Sequence, residues 1–170
     1  MIAEGLNGRT TVHDDPIEPF RSGADALPSC LMSHMPLDLL IVALGCNDLK
    51  MRFSVSPFDI AEGAARLIAI ARAYGVGPGG GPPKILIVAP PPLARLTAFA
   101  EMFEGGTEKS RLLAERYGDV AKREGVAFLN AGAVIRCSDL DGIHYEADQH
   151  EQLGRATAEA VRTALAAPAL

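Results

Sequence analysis

The sequence predicts an α/β layered sandwich built around a parallel sheet. Two almost wholly apolar runs, 37–45 and 84–89, end in a glycine or in front of consecutive prolines, which is typical of strands buried on both faces. A third, weaker run covers 126–131. Segments of helical period lie between and after these runs, and such alternation favours a sheet with helices packed on it. Ligands in that architecture bind at the carboxyl ends of the strands.

The helix after the first strand has the clearest start signal. Ser56, Pro57 and Asp59 form a capping-box pattern, with serine as the N-cap and proline in the first turn. Glu62 and Arg66, one turn apart, are expected to pair on a flank of this helix. Its predicted apolar stripe consists of Ile60, Ala64, Leu67, Ile68 and Ala71.

Two further helices are predicted, one over 107–124 and one from near Ala147 onward. The residues expected to face inward are Leu112, Leu113, Tyr117, Val120 and Ala121 in the former and Leu153, Thr157, Ala160, Val161 and Leu165 in the latter. The Gly- and Pro-rich stretch 75–83 is too short and rigid for a domain linker. We therefore expect 1–170 to form a single domain.

Composition excludes several classes of protein. The 170 residues carry a net charge of -5 without a dense Lys or Arg cluster, so a nucleic-acid partner is not expected. No apolar run approaches the ~20 residues that span a bilayer, so no membrane partner is expected either. Cys30, Cys46 and Cys137 lack the spacing of a zinc or redox site, and we expect buried free thiols in a cytoplasmic protein. His13, His34 and His150 have no partners at metal-ligand spacing, and no metal or cofactor is predicted.

The four residues from Asp141 to His144 are the best candidate for catalytic chemistry. A carboxylate three residues before a histidine can orient and polarise the imidazole, as in Ser-His-Asp hydrolases. His144 precedes the last helix, from which its ring can reach across the carboxyl edge of the sheet. The alternative is a turn-forming aspartate beside a surface histidine, and the spacing alone does not exclude it.

A second group of polar residues follows the first strand. The side-chain amide of Asn47 could donate into an oxyanion hole, which typically contributes ~3 kcal/mol, or Asn47 could simply close a turn. Asp48 could brace the site by bonding neighbouring backbone groups. Gly8 could offer an unobstructed backbone N–H, or could be an ordinary turn glycine. Cys46 is better explained as a buried thiol than as a nucleophile.

Taken in order, the sequence blocks resemble the SGNH (GDSL-type) hydrolases, and most closely their arylesterase and acyltransferase subgroup. The resemblance covers essentially the whole chain. It rests on the blocks 4–11, 14–16, 27–31, 34–39, 44–48, 83–86, 89–94, 103–106 and 141–144.

This resemblance implies specific roles. Gly8 and Asn47 would be the oxyanion donors, His144 the base and Asp141 its partner. The expected fold is a three-layer α/β/α sandwich with a flavodoxin-like parallel sheet in the order 2-1-3-4-5. The expected activity is hydrolysis of short-chain and aryl esters without a cofactor, with acyl transfer in some members. A homo-oligomer is also expected, because relatives in this subgroup self-associate.

One part of the family pattern is not found in the sequence. The strand, Gly-Asp-Ser-Leu turn and helix that supply the nucleophile would lie upstream of Met1. Ile2–Leu6 would then be the end of the second strand, with an edge gap beside 39–44. We expect the chain as written to be nearly inactive, because no serine in it lies on a strand-turn-helix elbow. Three interpretations stay open: a truncated ester hydrolase, a pseudo-esterase that binds ligands or proteins, and an assembly module.

Overall fold

The computed structural model describes residues 1–167, and this part of the chain forms a parallel sheet and four α-helices. The helices are α1 (Gly23–His34), α2 (Pro57–Tyr74), α3 (Gly106–Glu124) and α4 (Ala147–Ala166). The strands are β1 (Leu39–Val42), β2 (Lys84–Ala89) and β3 (Ala127–Asn130). Short 3-10 turns occupy Asn47–Leu49, Met51–Phe53, Pro78–Gly80 and Ala131–Ala133. In this part of the chain, no helix is long and apolar enough to cross a membrane.

The sheet is open, and its strands lie in the order β1-β2-β3. Both pairings are parallel, with Leu40 opposite Ile85 and Ile87 opposite Phe128. Parallel neighbours joined through helices are what the strand-helix alternation predicted, so the α/β fold class is confirmed. The two outer strands are shorter than their predicted runs, since 37–45 and 126–131 each contain four paired residues.

Helices cover both faces of the sheet. Side chains alternate along β2, and Ile85 and Ile87 join the core beneath α2 and α3. Leu86 and Val88 point to the opposite face, where they pack with apolar residues of α4 such as Val161. The chain therefore builds the three layers that were expected, with its larger core on the α2 and α3 side.

The predicted capping box of α2 is present, but the predicted ion pair is wrong. The Ser56 hydroxyl accepts a hydrogen bond from the Asp59 N–H at 3.1 Å, and the Asp59 carboxylate accepts one from the Ser56 N–H at 3.1 Å. Glu62 pairs with Arg123 of α3 at 2.8 Å and not with Arg66. Because α2 and α3 pack side by side, the long Arg123 side chain of α3 extends to the Glu62 carboxylate and bonds it.

The inward faces of the last two helices are largely as predicted. Leu112 of α3 is exposed because it lies beside the buried stripe formed by its other predicted residues, Leu113, Tyr117, Val120 and Ala121. In α4 no residue is fully buried. Leu165 is exposed in its last turn, while Leu153, Thr157, Ala160 and Val161 are half-buried. Lys84 donates to the carbonyls of Ala164 and Leu165, which holds the end of α4 against β2.

Two features of the N-terminal third differ from expectation. The helix α1 was not predicted, although Ser22 caps it by accepting a hydrogen bond from the Asp25 N–H at 3.2 Å. The interior Pro28 hides the helical pattern, because proline usually interrupts helices. The expectation of a strand end at Ile2–Leu6 is wrong, since these residues pair with no strand of the described chain. A strand needs a neighbour to satisfy its backbone groups.

Candidate active site

Asp141 and His144 form a hydrogen-bonded pair on the loop that leads into α4. The Nδ1 atom of His144 lies 2.6 Å from Oδ2 of Asp141. The other carboxylate oxygen, Oδ1, accepts the backbone N–H groups of Ile143 at 2.8 Å and His144 at 2.9 Å. The His144 hydrogen bond, followed by that of Ile143, lowers the pKa of Asp141 from 3.8 to about 2. Asp141 is therefore an ionised partner that orients the ring.

The loop after β2 holds the Asp141–His144 loop in place. The Ala94 N–H donates to the Gly142 carbonyl at 2.9 Å, and the Thr97 hydroxyl donates to the Leu140 carbonyl at 2.8 Å. Gly142 has a φ of +87°, and a Cβ there would lie 2.7 Å from the Arg95 carbonyl oxygen. Only glycine fits this close backbone approach, so the glycine of the Asp-Gly-Ile-His segment has a structural reason.

Asn47 bonds the residue that follows Gly8, although the two segments are far apart in sequence. Asn47 opens the 3-10 turn that follows β1, and its Nδ2 donates to the Arg9 carbonyl at 3.1 Å. Gly45 turns the chain toward it with a φ of +115°, at a point where a Cβ would meet the Tyr117 hydroxyl at 2.2 Å. Gly8 is buried, and within residues 1–167 no acceptor takes its N–H. The second N–H of the Asn47 amide and the Gly8 N–H are thus both without an acceptor within residues 1–167.

Asp48 connects the two segments that carry these donors. Its carboxylate accepts the Thr11 N–H at 3.0 Å and the Thr11 hydroxyl at 2.5 Å. Burial raises the pKa of Asp48, and the hydrogen bonds from Thr11 oppose that rise. The carboxylate therefore bonds backbone at the site as the sequence suggested, and its partner Thr11 was not singled out. No local pattern marks a contact between residues 37 positions apart.

A second buried carboxylate nearby was also not singled out. Asp15 is 1% exposed and accepts hydrogen bonds from Lys50 at 3.2 Å and Arg52 at 2.9 Å. Each of four polar residues after β1 bonds a residue of the Gly8 loop (residues 6–21): Asn47, Asp48, Lys50 and Arg52. The spacing of polar residues after β1 was a usable signal, but it does not identify their partners.

The larger hydrophobic core includes Cys137, with Cys46, Ile143 and Tyr145 packed against it. Burial raises the pKa of the Cys46 thiol to about 12, so Cys46 is not poised as a nucleophile. All three thiols are free, but only Cys137 is fully buried, and Cys30 and Cys46 are half-buried.

No serine of the described chain completes the His144 pair. The Nε2 atom of His144 has no hydrogen-bond partner in residues 1–167, and the His144 side chain is 66% exposed. Ser138 is the nearest serine in sequence, and its hydroxyl donates instead to Glu146 at 2.5 Å. The imidazole thus presents a free nitrogen at the surface.

The other histidines have structural partners. His34 ends α1 and lies 2.6 Å from Glu4, His13 stacks on Phe53, and the ring of His150 contacts Tyr145. Within residues 1–167 no three His, Cys, Asp or Glu side chains are grouped as metal ligands.

Two shallow cavities flank the site without containing its polar groups. One lies between 136–140 and the start of α4, and the other between His13, Val55 and α2. His144, Asn47 and Gly8 line neither of them. Phe99 lies edge-on to the His144 ring, with the centroids 6.0 Å apart.

The hydrogen-bonded Asp141–His144 pair is an arrangement that general-base chemistry uses. Comparison with known families agrees: the profile of the GDSL-like lipase/acylhydrolase family matches residues 1–153. The chain belongs to this family, and it is an enzyme of the esterase class. The predicted family resemblance is confirmed. A comparison with curated proteins returned no match.

Solved structures of esterases have the same fold. The aryl esterase of M. smegmatis is 44% identical, with a TM-score of 0.91 over 96% of this chain and 78% of that one. Est24, a carbohydrate acetylesterase from Sinorhizobium meliloti, is 42% identical, with a TM-score of 0.90 over 95% and 77%. A carbohydrate acetylesterase family member from the same organism is 41% identical, with a TM-score of 0.91 over 98% and 80%.

Proposed function

We propose that the protein hydrolyses short-chain and aryl esters by a Ser-His-Asp mechanism. His144 is the general base, Asp141 orients it, and Gly8 and Asn47 donate to the oxyanion. The serine is supplied by a Gly-Asp-Ser-Leu segment outside these 170 residues. The observation that carries the proposal is the Asp141–His144 pair, whose Nδ1 is bonded at 2.6 Å while Nε2 stays free.

The first half of the reaction follows from these contacts. The serine Oγ attacks the ester carbonyl carbon while His144 Nε2 takes its proton, and the resulting imidazolium is stabilised by the Asp141 carboxylate. The carbonyl oxygen becomes an oxyanion that accepts hydrogen bonds from the Gly8 N–H and the Asn47 amide. When the C–O bond breaks, His144 returns the proton to the leaving alkoxide. The product at this stage is an acyl-serine.

Water then completes the cycle. His144 removes a proton from a water molecule that attacks the acyl-serine, and it returns this proton to the serine Oγ as the acid leaves. An alcohol in place of water would give acyl transfer, which we include in the proposal. Because 66% of the His144 side chain is exposed in this chain, further protein surface would be needed to limit water.

The substrate class is supported by two observations. Phe99 lies beside the His144 ring, with the centroids 6.0 Å apart, and could pack against an aryl or short acyl group. The similar structures are an aryl esterase and carbohydrate acetylesterases, which favours acetyl and aryl esters. We also propose a homo-oligomer, because the flanking cavities are shallow and a second copy could wall the site. Free thiols at Cys30, Cys46 and Cys137 support a cytoplasmic location.

A second function has its own support in the structure. Since no serine in residues 1–167 bonds His144, a pseudo-esterase that binds acyl ligands or a protein partner is the alternative. Such a protein would keep the two donors and the histidine pair without turnover.

The deciding experiment measures hydrolysis of p-nitrophenyl acetate. We would compare the 170-residue chain with a fusion in which a strand, Gly-Asp-Ser-Leu turn and helix of this family's pattern precede Met1. We expect hydrolysis by the fusion only, and its loss in His144→Ala and in the Ser→Ala variant of the added block. The residual rate should be that of a site without a nucleophile.

Two outcomes would overturn the assignment. His144-dependent activity in the 170-residue chain would place the nucleophile within it. An inactive but folded fusion would favour the pseudo-esterase, and thermal stabilisation of the chain by an acetyl ester analogue would then be its positive sign.

A further inference from the structure

Five charged residues near Gly8 form a continuous network that the proposed mechanism does not use. Arg52 and Lys50 both contact Asp15, and Lys50 also lies 3.8 Å from Glu18. Glu18 in turn lies 3.8 Å from Arg21. The signs alternate along this chain of contacts, so each carboxylate lies between two cations.

Asp15 is the centre of the network and its most buried member. Its side chain is 0% exposed, and that of Lys50 is 5% exposed. Oδ1 also accepts the backbone N–H groups of Ile17 at 2.9 Å and Glu18 at 3.2 Å. Burial by itself would raise the pKa of Asp15, but these hydrogen bonds and the two cations hold the pKa well below its usual range. Asp15 is thus a permanent anion at neutral pH.

The network ends against Gly8. A Cβ placed on Gly8 would lie 3.0 Å from Nε of Arg21 and 3.1 Å from a carboxylate oxygen of Glu18. The Arg21 carbonyl also accepts the Thr10 N–H at 3.0 Å, two residues after Gly8. Glu18 and Arg21, which form the end of the network, therefore pack against one side of the backbone around Gly8.

From these contacts we infer that Asp15 is a positioning residue that sets the Gly8 N–H relative to the Asn47 amide. This inference rests on the proposed function, because it concerns the oxyanion hole of that reaction. Asn47, Lys50 and Arg52 all lie on the turns after β1, so the network ties the Gly8 loop to the segment that carries the second donor.

The physical reason is the precision that an oxyanion hole requires. Donors must lie about 2.7–3.1 Å from the developing charge, and the 6–21 segment has no helix or regular strand to fix them. The Asp48–Thr11 contact anchors this loop at one point. The Asp15 network supplies the second point, because its Glu18 and Arg21 end packs against Gly8 itself.

The test compares Asp15→Asn, Lys50→Met and Lys50→Arg with the control Glu62→Gln, which removes the Glu62–Arg123 pair elsewhere. In the serine-containing fusion, we expect Asp15→Asn and Lys50→Met to lower kcat about 10- to 100-fold, with KM within about twofold. Loss of a whole donor costs about 100- to 1,000-fold, which sets the upper limit. Lys50→Arg, which keeps the cation, should retain kcat within about threefold, and the control should match the parent.

Amide hydrogen exchange of the 170-residue chain provides a readout that needs no catalysis. We expect the Thr10 and Thr11 amides to exchange at least about tenfold faster in Asp15→Asn and Lys50→Met, through a local opening that requires less free energy than the global unfolding that exposes the amides of α3. Unchanged exchange at Thr10 and Thr11 would overturn the inference. So would exchange at Thr10 and Thr11 with the same opening free energy as the amides of α3, because these amides would then open only when the whole fold unfolds.

The two proposals fail in different ways. If the fusion hydrolyses no ester, the proposed function fails and exchange alone decides the role of Asp15. If the fusion is active and Asp15→Asn keeps its kcat, the positioning role is wrong while the proposed function stands.

Discussion

The two oxygens of the Asp141 carboxylate have different partners. Oδ1 accepts two backbone N–H groups and so shapes the loop, whereas Oδ2 accepts the imidazole Nδ1–H and so fixes the tautomer. A neutral amide could retain the first set of contacts. It could not retain the second, because its nitrogen would present a donor to a donor.

This difference predicts the effect of Asp141→Asn in the serine-containing fusion. The loop should keep its shape, but the ring should adopt the tautomer with its proton on Nε2, where it cannot act as a base. We expect kcat for p-nitrophenyl acetate to fall by about four orders of magnitude, as in other triads with this change. The change in unfolding free energy should stay small.

The matched control is Asp139→Asn, an exposed carboxylate on the same loop. Its kcat should lie within about twofold of the parent. If Asp141→Asn lowered kcat by less than tenfold, the Asp141 carboxylate would not be the group that orients the base.

At the scale of single residues, the sequence predicted contacts that are local. Asp141 and His144 are three residues apart, so their pairing follows from the geometry of one turn. The Asp15–Lys50 contact spans 35 residues, and nothing in the local sequence indicates it. Glu62 shows the same limit, because its partner lies on a neighbouring helix.

The loops after β1 and β2 determine where the site residues lie. The 93–97 loop bonds the 140–142 segment through backbone contacts, and the contact is close because Gly142 has no side chain. Gly142→Ala would bring a Cβ to 2.7 Å from a carbonyl oxygen at a φ of +87°. We expect it to destabilise the fold by about 1–3 kcal/mol and to displace His144.

Gly154 provides the control for this substitution. It lies within α4, and a Cβ there would contact nothing within 4 Å. Gly154→Ala should therefore stabilise the protein by up to about 1 kcal/mol, since alanine favours helices. Urea unfolding of both variants tests the pair, and equal effects at the two sites would contradict the steric argument.

At the scale of elements, prediction succeeded where one face or both faces of an element are buried. The run 84–89 became β2 without a change of bounds, and α2 starts at its predicted cap. The failure at α1 has a physical cause, because Pro28 removes a backbone donor and the helix buries only Gly23 and Leu31. A weak apolar stripe with an interior proline does not predict a helix.

At the scale of the whole molecule, the turns after β1 and the loop after β2 lie at one edge of the sheet because parallel strands bring their carboxyl ends together. The sequence predicted that edge from the strand pattern alone. It did not predict how the Gly8 loop reaches it, because that loop is held by buried charges from the turns after β1. The ionisation of those charges should therefore control the stability of the whole fold.

Acid unfolding tests this dependence. The folded-state pKa of Asp15 lies below its ordinary value of 3.8. Between these two values the unfolded chain binds a proton at Asp15 and the folded chain does not. The stability contributed by Asp15 is therefore present above about pH 4 and is lost as the pH falls toward the folded-state pKa. Asp15→Asn leaves buried Lys50 partly uncompensated and should cost about 3–5 kcal/mol at pH 7.

The difference in unfolding free energy between Asp15→Asn and the parent should shrink steadily between pH 4 and pH 2.5, because the unfolded parent then binds a proton at Asp15 that the folded parent does not bind. Urea titrations at about pH 7, 4 and 2.5 would measure it. Glu151→Gln, which breaks the exposed pair with Arg155, should stay within about 0.5 kcal/mol of the parent at each pH. If the difference in unfolding free energy between Asp15→Asn and the parent did not change with pH, the Asp15 carboxylate would stabilise the fold by its shape and not by its charge.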